Sequence, residues 1–129
     1  MKYADSFEHT ETITATDQTT YSEWFDISWA NELHSFLRFH ETGTVDTESI
    51  LVTLERFRPL DMNPATVIAH AAKTSNGTAE IYARHYYDGG ATGADNKLGM
   101  RVRYKFVSSG SFGANNTITM TMSLYAKRN

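Results

Sequence analysis

The chain has no cysteine, only two prolines, and no excess of charge of one sign. Without thiols it has neither a disulfide framework nor a Cys-based zinc centre, so burial must hold the fold. Two prolines in 129 residues leave nearly every backbone amide able to donate to a ladder. No stretch approaches the ~20 apolar residues of a membrane helix. The opening Met1-Lys2-Tyr3-Ala4-Asp5-Ser6 has no apolar run behind its positive charge, which argues against a secretory signal and for a soluble chain. Twelve Lys and Arg against 15 Asp and Glu give a net charge of −3, too little positive field for a nucleic-acid partner.

What the chain does have is alternation. Leu98, Met100, Val102, Tyr104 and Phe106 alternate with Gly99, Arg101, Arg103 and Lys105, and Ile118, Met120, Met122 and Leu124 alternate with Thr117, Thr119, Thr121 and Ser123. A period of two puts each set on one face of a strand, which predicts two successive antiparallel strands joined as a hairpin. Ile50, Val52 and Leu54 alternate with Leu51, Thr53 and Glu55 in another strand. The β-branched run Glu11 to Thr16 and the aromatic-rich Tyr21 to Ile27 suit strands too. Asp17 and Gln18 are placed to turn between them.

Trp29 to Phe39 fits a helical stripe as well as a strand. The neighbouring strands favour a turn at Ala30-Asn31-Glu32 followed by a strand from His34 to Glu41. Asn76-Gly77 is a two-residue hairpin signal, predicted to pair Val67–Lys73 with Thr78–Tyr86. The segment from Pro59 to Pro64 reads as connection, and Asp88 to Asn96, which lacks core-forming residues, as a loop.

About eight strands without a helix predict an all-β, antiparallel two-sheet sandwich of the jelly-roll type. Residues 1–12, which have no clear period, are expected as an N-terminal arm, and residues 13–129 as a single sandwich domain. The expected core is Ile13, Leu37, Phe39, Ile50, Val52, Leu54, Val67, Ile81, Met100, Val102, Tyr104, Phe106, Ile118, Met120, Met122 and Leu124. Most acid lies in residues 5–61, whereas Lys97, Arg101, Arg103, Lys105, Lys127 and Arg128 make the last third basic.

No motif specifies a reaction. The histidines His9, His34, His40, His70 and His85 include no pair at zinc-protease spacing, and no metal is expected. Ser109-Gly110-Ser111-Phe112-Gly113 misses the nucleophile-elbow spacing by one residue. Gly89-Gly90-Ala91-Thr92-Gly93 lacks the lysine and helix of a phosphate cradle. The acid pairs Asp46/Glu48 and Glu8/Glu11 read as solvent-facing. The expectation is no catalytic residue, no cofactor and no enzyme. Aromatic rings offer flat faces for sugar stacking or for protein contacts. The residues expected at an interface or glycan contact are Trp29, Tyr82, Tyr86, Tyr87, Arg101 and Arg103, with Trp24 as core or interface.

The stretch Leu98 to Val107, the Ser/Gly loop and Thr117 to Lys127 resemble the closing hairpin of small bacteriophage virion proteins. Ile50-Leu51-Val52-Thr53-Leu54-Glu55 and the Trp24-Phe25-Asp26-Ile27 opening resemble earlier strands of the same group. The resemblance implies a jelly roll that decorates or cements a phage capsid, commonly as a homotrimer, or that belongs to a fibre or tail attachment. It also implies a major capsid protein as partner, and a location on the virion after assembly in the host cytoplasm. The arm and one sheet edge would touch the capsid protein or a sister subunit. It carries no catalytic or ligand residue; His70 and the Pro59–Pro64 connection fit none of its pattern. The competing class is a carbohydrate- or receptor-binding module using Trp29, Tyr86, Tyr87 and the 88–96 loop.

Overall fold

Alternation of apolar and polar residues becomes, among the described residues of the computed structural model, ten antiparallel strands: β1 (Ala4–Ile13), β2 (Thr19–Tyr21), β3 (Phe25–Asp26), β4 (Glu32–Thr42), β5 (Ser49–Phe57), β6 (Ala65–Ala69), β7 (Lys73–Thr74), β8 (Glu80–Asp88), β9 (Arg101–Ser109) and β10 (Thr117–Lys127). The structure describes residues 4–42, 48–57, 64–74, 80–88, 101–110, 112 and 116–128, with the backbone alone for 42, 73–74 and 80–88. Expected core residues Ile81 and Met100, and the Asn76-Gly77 turn, therefore lie outside the described side chains.

One sheet has the order β1-β10-β4-β8 and the other β2-β9-β5-β6, with β3 also on β9 and β7 also on β5. The short pieces β2 and β3 lie along the same edge of β9, and β6 and β7 along the same edge of β5. Counted as edges, these give the eight-strand jelly roll. The break between β2 and β3 has a local cause. Ser22 donates its amide to the Tyr104 carbonyl (3.0 Å), while its hydroxyl accepts the Tyr104 amide (2.9 Å) in place of a carbonyl.

Two expected pairings change. Strands β9 and β10 are consecutive but lie in opposite sheets, so the predicted closing hairpin is a crossing between layers. Likewise β6 pairs with β5 and β8 with β4, so the segments around Asn76-Gly77 do not form a hairpin. Alternation reports which face is buried; it is silent on which strand lies alongside. A third difference is at the N-terminus, where residues 4–12 of the expected arm belong to a ten-residue strand in continuous register with β10, from Ala4↔Lys127 to Ile13↔Ile118.

Between the sheets lie Ile13, Leu37, Phe39, Ile50, Val52, Leu54, Val102, Tyr104, Phe106, Ile118, Met120, Met122 and Leu124, all buried as expected. Val67 packs partly against this core, and its neighbour Ile68 is the buried residue. The register between β5 and β6 shifts between Leu54 and Glu55, which moves the parity of that strand by one. Phe25, Ile27, Ala30, Leu33 and Ala126 complete the core.

Candidate functional site

Parity on β9 sends Arg101, Arg103 and Lys105 to the outer face of their sheet, because Val102, Tyr104 and Phe106 fill the core. Their cross-strand partners on β5 are Phe57, Glu55 and Thr53. The β2–β3 break lays Trp24 and Tyr21 on the other side of the same arginines. The Arg103 guanidinium carbon sits 3.9 Å from the Tyr21 ring centroid and 4.4 Å from that of Trp24. Arg101 lies 4.9 Å from both Trp24 and Phe57, whose rings meet edge-on at 6.0 Å.

Glu55 fixes one of these cations. Arg103 Nε donates to Glu55 Oε1 at 3.2 Å, with the carboxylate largely shielded from water. Cation–π contacts of consequence occur about once per 70–80 residues, so four on two adjacent arginines mark a built feature. Trp, Tyr and Arg are the residues that dominate binding energy at protein interfaces. The face can offer guanidinium N–H donors and flat apolar area together, already held in place by stacking.

The residues singled out from sequence do not converge. Arg101 and Arg103 belong to this face. Trp29 sits in the β3–β4 connection and packs against the core, in a turn closed by Asp26 accepting the Ser28 amide at 3.0 Å and by Ala30 N to Ile27 O at 2.9 Å. In the other sheet, Tyr82, Tyr86 and Tyr87 of β8 occupy the register positions opposite Arg38, His34 and Leu33 of β4, with their side chains outside the described ones. The outer face of the β1-β10-β4-β8 sheet shows Phe36 and Tyr125, both exposed. Trp24 and Tyr21 were not separable from core by sequence, because the Ser22 break that turns them outward leaves no periodic mark.

The Glu8/Glu11 pair does not converge. Glu8 and Glu11 are three apart on β1 and so face opposite sides; Glu11 bonds His9 at 2.7 Å. Glu48 is buried and accepts from Asn116 Nδ2 at 3.2 Å, and Asp46 lies outside the described residues. Among the described residues no three His, Asp or Glu side chains gather as a metal site. No described helix is long and apolar enough to cross a membrane.

The core also contains a polar chain. Ser35 of β4 meets His70 Nε2 at 2.9 Å and the Tyr104 hydroxyl at 2.8 Å, linking the two sheets. Burial pushes the Tyr104 phenol well above its ordinary pKa of 10.0, a rise partly offset by the Ser35 hydrogen bond. All three residues are sealed from solvent, so this is a structural link and cannot reach a substrate.

No family model and no curated protein matches the chain. Solved structures do. At 12% identity and a TM-score of 0.53, the chain is similar to the infectious bursal disease virus VP2 subviral particle, over 98% of its own length and 30% of that chain. It is also similar to the disulfide-linked pili of Bacillus endospore appendages (12% identity, TM-score 0.46, 100% and 92% of the two chains). A third similarity is to CBM28, a non-crystalline cellulose specific carbohydrate-binding module (7% identity, TM-score 0.47, 90% and 69%). At these identities the likeness is one of fold: a two-sheet antiparallel β-sandwich of jelly-roll type.

Proposed function

We propose that this chain is a non-enzymatic virion structural protein that decorates or cements a bacteriophage capsid through protein–protein contacts, as a homo-oligomer bound to the major capsid protein. The observation that carries the docking part is the outer face of β9, where Tyr21, Trp24 and Phe57 stack on Arg101 and Arg103. Rigid rings and preset guanidinium groups lose little entropy on contact, and modest contacts repeated over a symmetric shell accumulate. The virion part draws on the sequence resemblance and on a jelly-roll sandwich of the sort that also occurs within a viral particle protein. Cosedimentation with phage heads that lack the chain tests it. Saturable binding in a fixed ratio to shell subunits, lost in the Arg101→Ala/Arg103→Ala double variant, is the expected result.

A second reading, a carbohydrate- or receptor-binding module, draws on exposed Phe36 and Tyr125 on the opposite outer face. A glycan array decides between them: specific sugar binding abolished by Phe36→Ala, with no binding to heads, would replace the capsid reading.

A further inference from the structure

Among the described residues strand β1 forms an edge of its sheet, ten residues long, without proline or glycine and without a bulge. Such an edge is a template for another strand unless something blocks it. Ser6 N–H is turned to the Asp5 carboxylate, 2.8 Å away, which places the even-numbered amides of β1, those of Glu8, Thr10 and Thr12, toward the open side. We propose that β1 pairs antiparallel with β1 of a second copy, about a two-fold axis at Thr10, joining the two β1-β10-β4-β8 sheets into one continuous sheet. This rests on the edge alone and is independent of the capsid reading.

The register follows from chemistry. Paired residues must share a face, so the two-fold axis has to pass through a residue. An axis at Phe7 would set Ser6 against Glu8, but the Ser6 amide is already held by the Asp5 carboxylate. An axis at Glu8 sets Glu8 against its own copy and Asp5 against Glu11. An axis at Glu11 does the same to Glu11, and an axis at His9 sets Phe7 against Glu11 and Asp5 against Ile13. An axis at Thr10 pairs Thr10 with Thr10, His9 with Glu11, Glu8 with Thr12 and Phe7 with Ile13. It brings together no like charges, and the His9–Glu11 contact already present within each strand at 2.7 Å is repeated across the axis. Hydrogen-bonding side chains set opposite each other stabilise cross-strand pairing, and like charges oppose it. Glu8, Thr10 and Thr12 would exchange the backbone hydrogen bonds, and all three side chains are exposed. A two-fold contact uses the same strand on both copies and does not close a ring of three. The assembly it builds is a dimer, in place of the trimer that the resemblance implies.

Because the chain has no cysteine, one introduced thiol reads the axis. In an antiparallel hydrogen-bonded pair the Cα atoms lie about 5.5 Å apart, within disulfide reach. Light scattering on the wild-type chain should give twice the 14.5 kDa chain mass. Under mild oxidation Thr10→Cys should convert to a covalent dimer, whereas Thr12→Cys, which faces Glu8 of the other copy, should remain uncrosslinked. A monomer at every concentration tested would overturn the proposal, as would a dimer in which Thr12→Cys crosslinks as readily as Thr10→Cys. Thr10→Pro, which removes an outward amide while leaving the β10 side of the strand intact, should give a folded monomer by circular dichroism and light scattering. A folded Thr10→Pro dimer counts against it equally.

Discussion

Ser35 and Tyr104 reach each other through the middle of the core from opposite sheets, Oγ to phenolic oxygen 2.8 Å. The same hydroxyl meets His70, so a single small side chain satisfies two larger polar groups where water is excluded. Ser35→Ala should therefore destabilise the fold by about 1–3 kcal/mol, the cost of leaving buried partners unsatisfied. Urea denaturation measures it. In a double-mutant cycle with Tyr104→Phe the two losses should be less than additive, because each variant removes the same bond.

Tyr104 also sets the behaviour in alkali. Its folded pKa is raised, mainly by burial, above the ordinary 10.0. Below pH 10 both folded and unfolded chains hold the phenolic proton, and its full contribution to stability is present. Above that, the unfolded chain releases the proton while the buried phenol keeps it, so stability falls as pH rises toward the folded value, by up to ~1.4 kcal/mol per pH unit. The loss of stability between pH 9 and pH 11 should be smaller in Tyr104→Phe than in wild type. Equal losses would show that another group governs alkaline unfolding.

Phe106 is fully buried and stacks on both Tyr104 (6.3 Å) and His9 (5.8 Å). Through it the edge strand β1 is held against the opposite sheet. Phe106→Ala should lower stability by ~3–5 kcal/mol, and amide exchange should accelerate in β1 as well as in β9. Protection of β1 left unchanged would mean that Phe7, stacked on Phe25 at 5.0 Å, suffices alone to hold it.

On the outer face of β9, Arg103 stacks on Tyr21 and pairs with Glu55. Lysine keeps the charge and loses the planar fork that permits both contacts. Arg103→Lys should weaken binding to phage heads by roughly tenfold, the equivalent of ~1.4 kcal/mol. Its midpoint of thermal unfolding should stay within a few degrees of wild type, because exposed cation–π pairs contribute only ~0.5–1 kcal/mol each.

Face assignment was legible in the residues, and neighbour assignment was not. From Val102 to Leu124 the parity named the buried side chains, and along β4 and β5 it named Leu37, Phe39, Ile50, Val52 and Leu54. The sequence could not say that β9 and β10 lie in different layers, since a crossing and a hairpin demand the same alternation. In β1 the inward positions include Asp5, His9 and Glu11, so apolar periodicity was absent and a strand looked like an arm. Those inward charges are a means by which edge strands avoid indiscriminate pairing. Arg101 and Arg103 were recognisable as an outward pair on β9. Their stacking partners Tyr21 and Trp24 depend on the Ser22–Tyr104 interlock, a contact 82 residues apart in sequence.

The docking face itself is tested most directly by oxidative footprinting of the chain, free and bound to phage heads. Protection of Tyr21 and Trp24 on binding, with Phe36 and Tyr125 on the opposite sheet still reactive, is the predicted result. Protection of Phe36 and Tyr125, with Tyr21 and Trp24 unchanged, would contradict it.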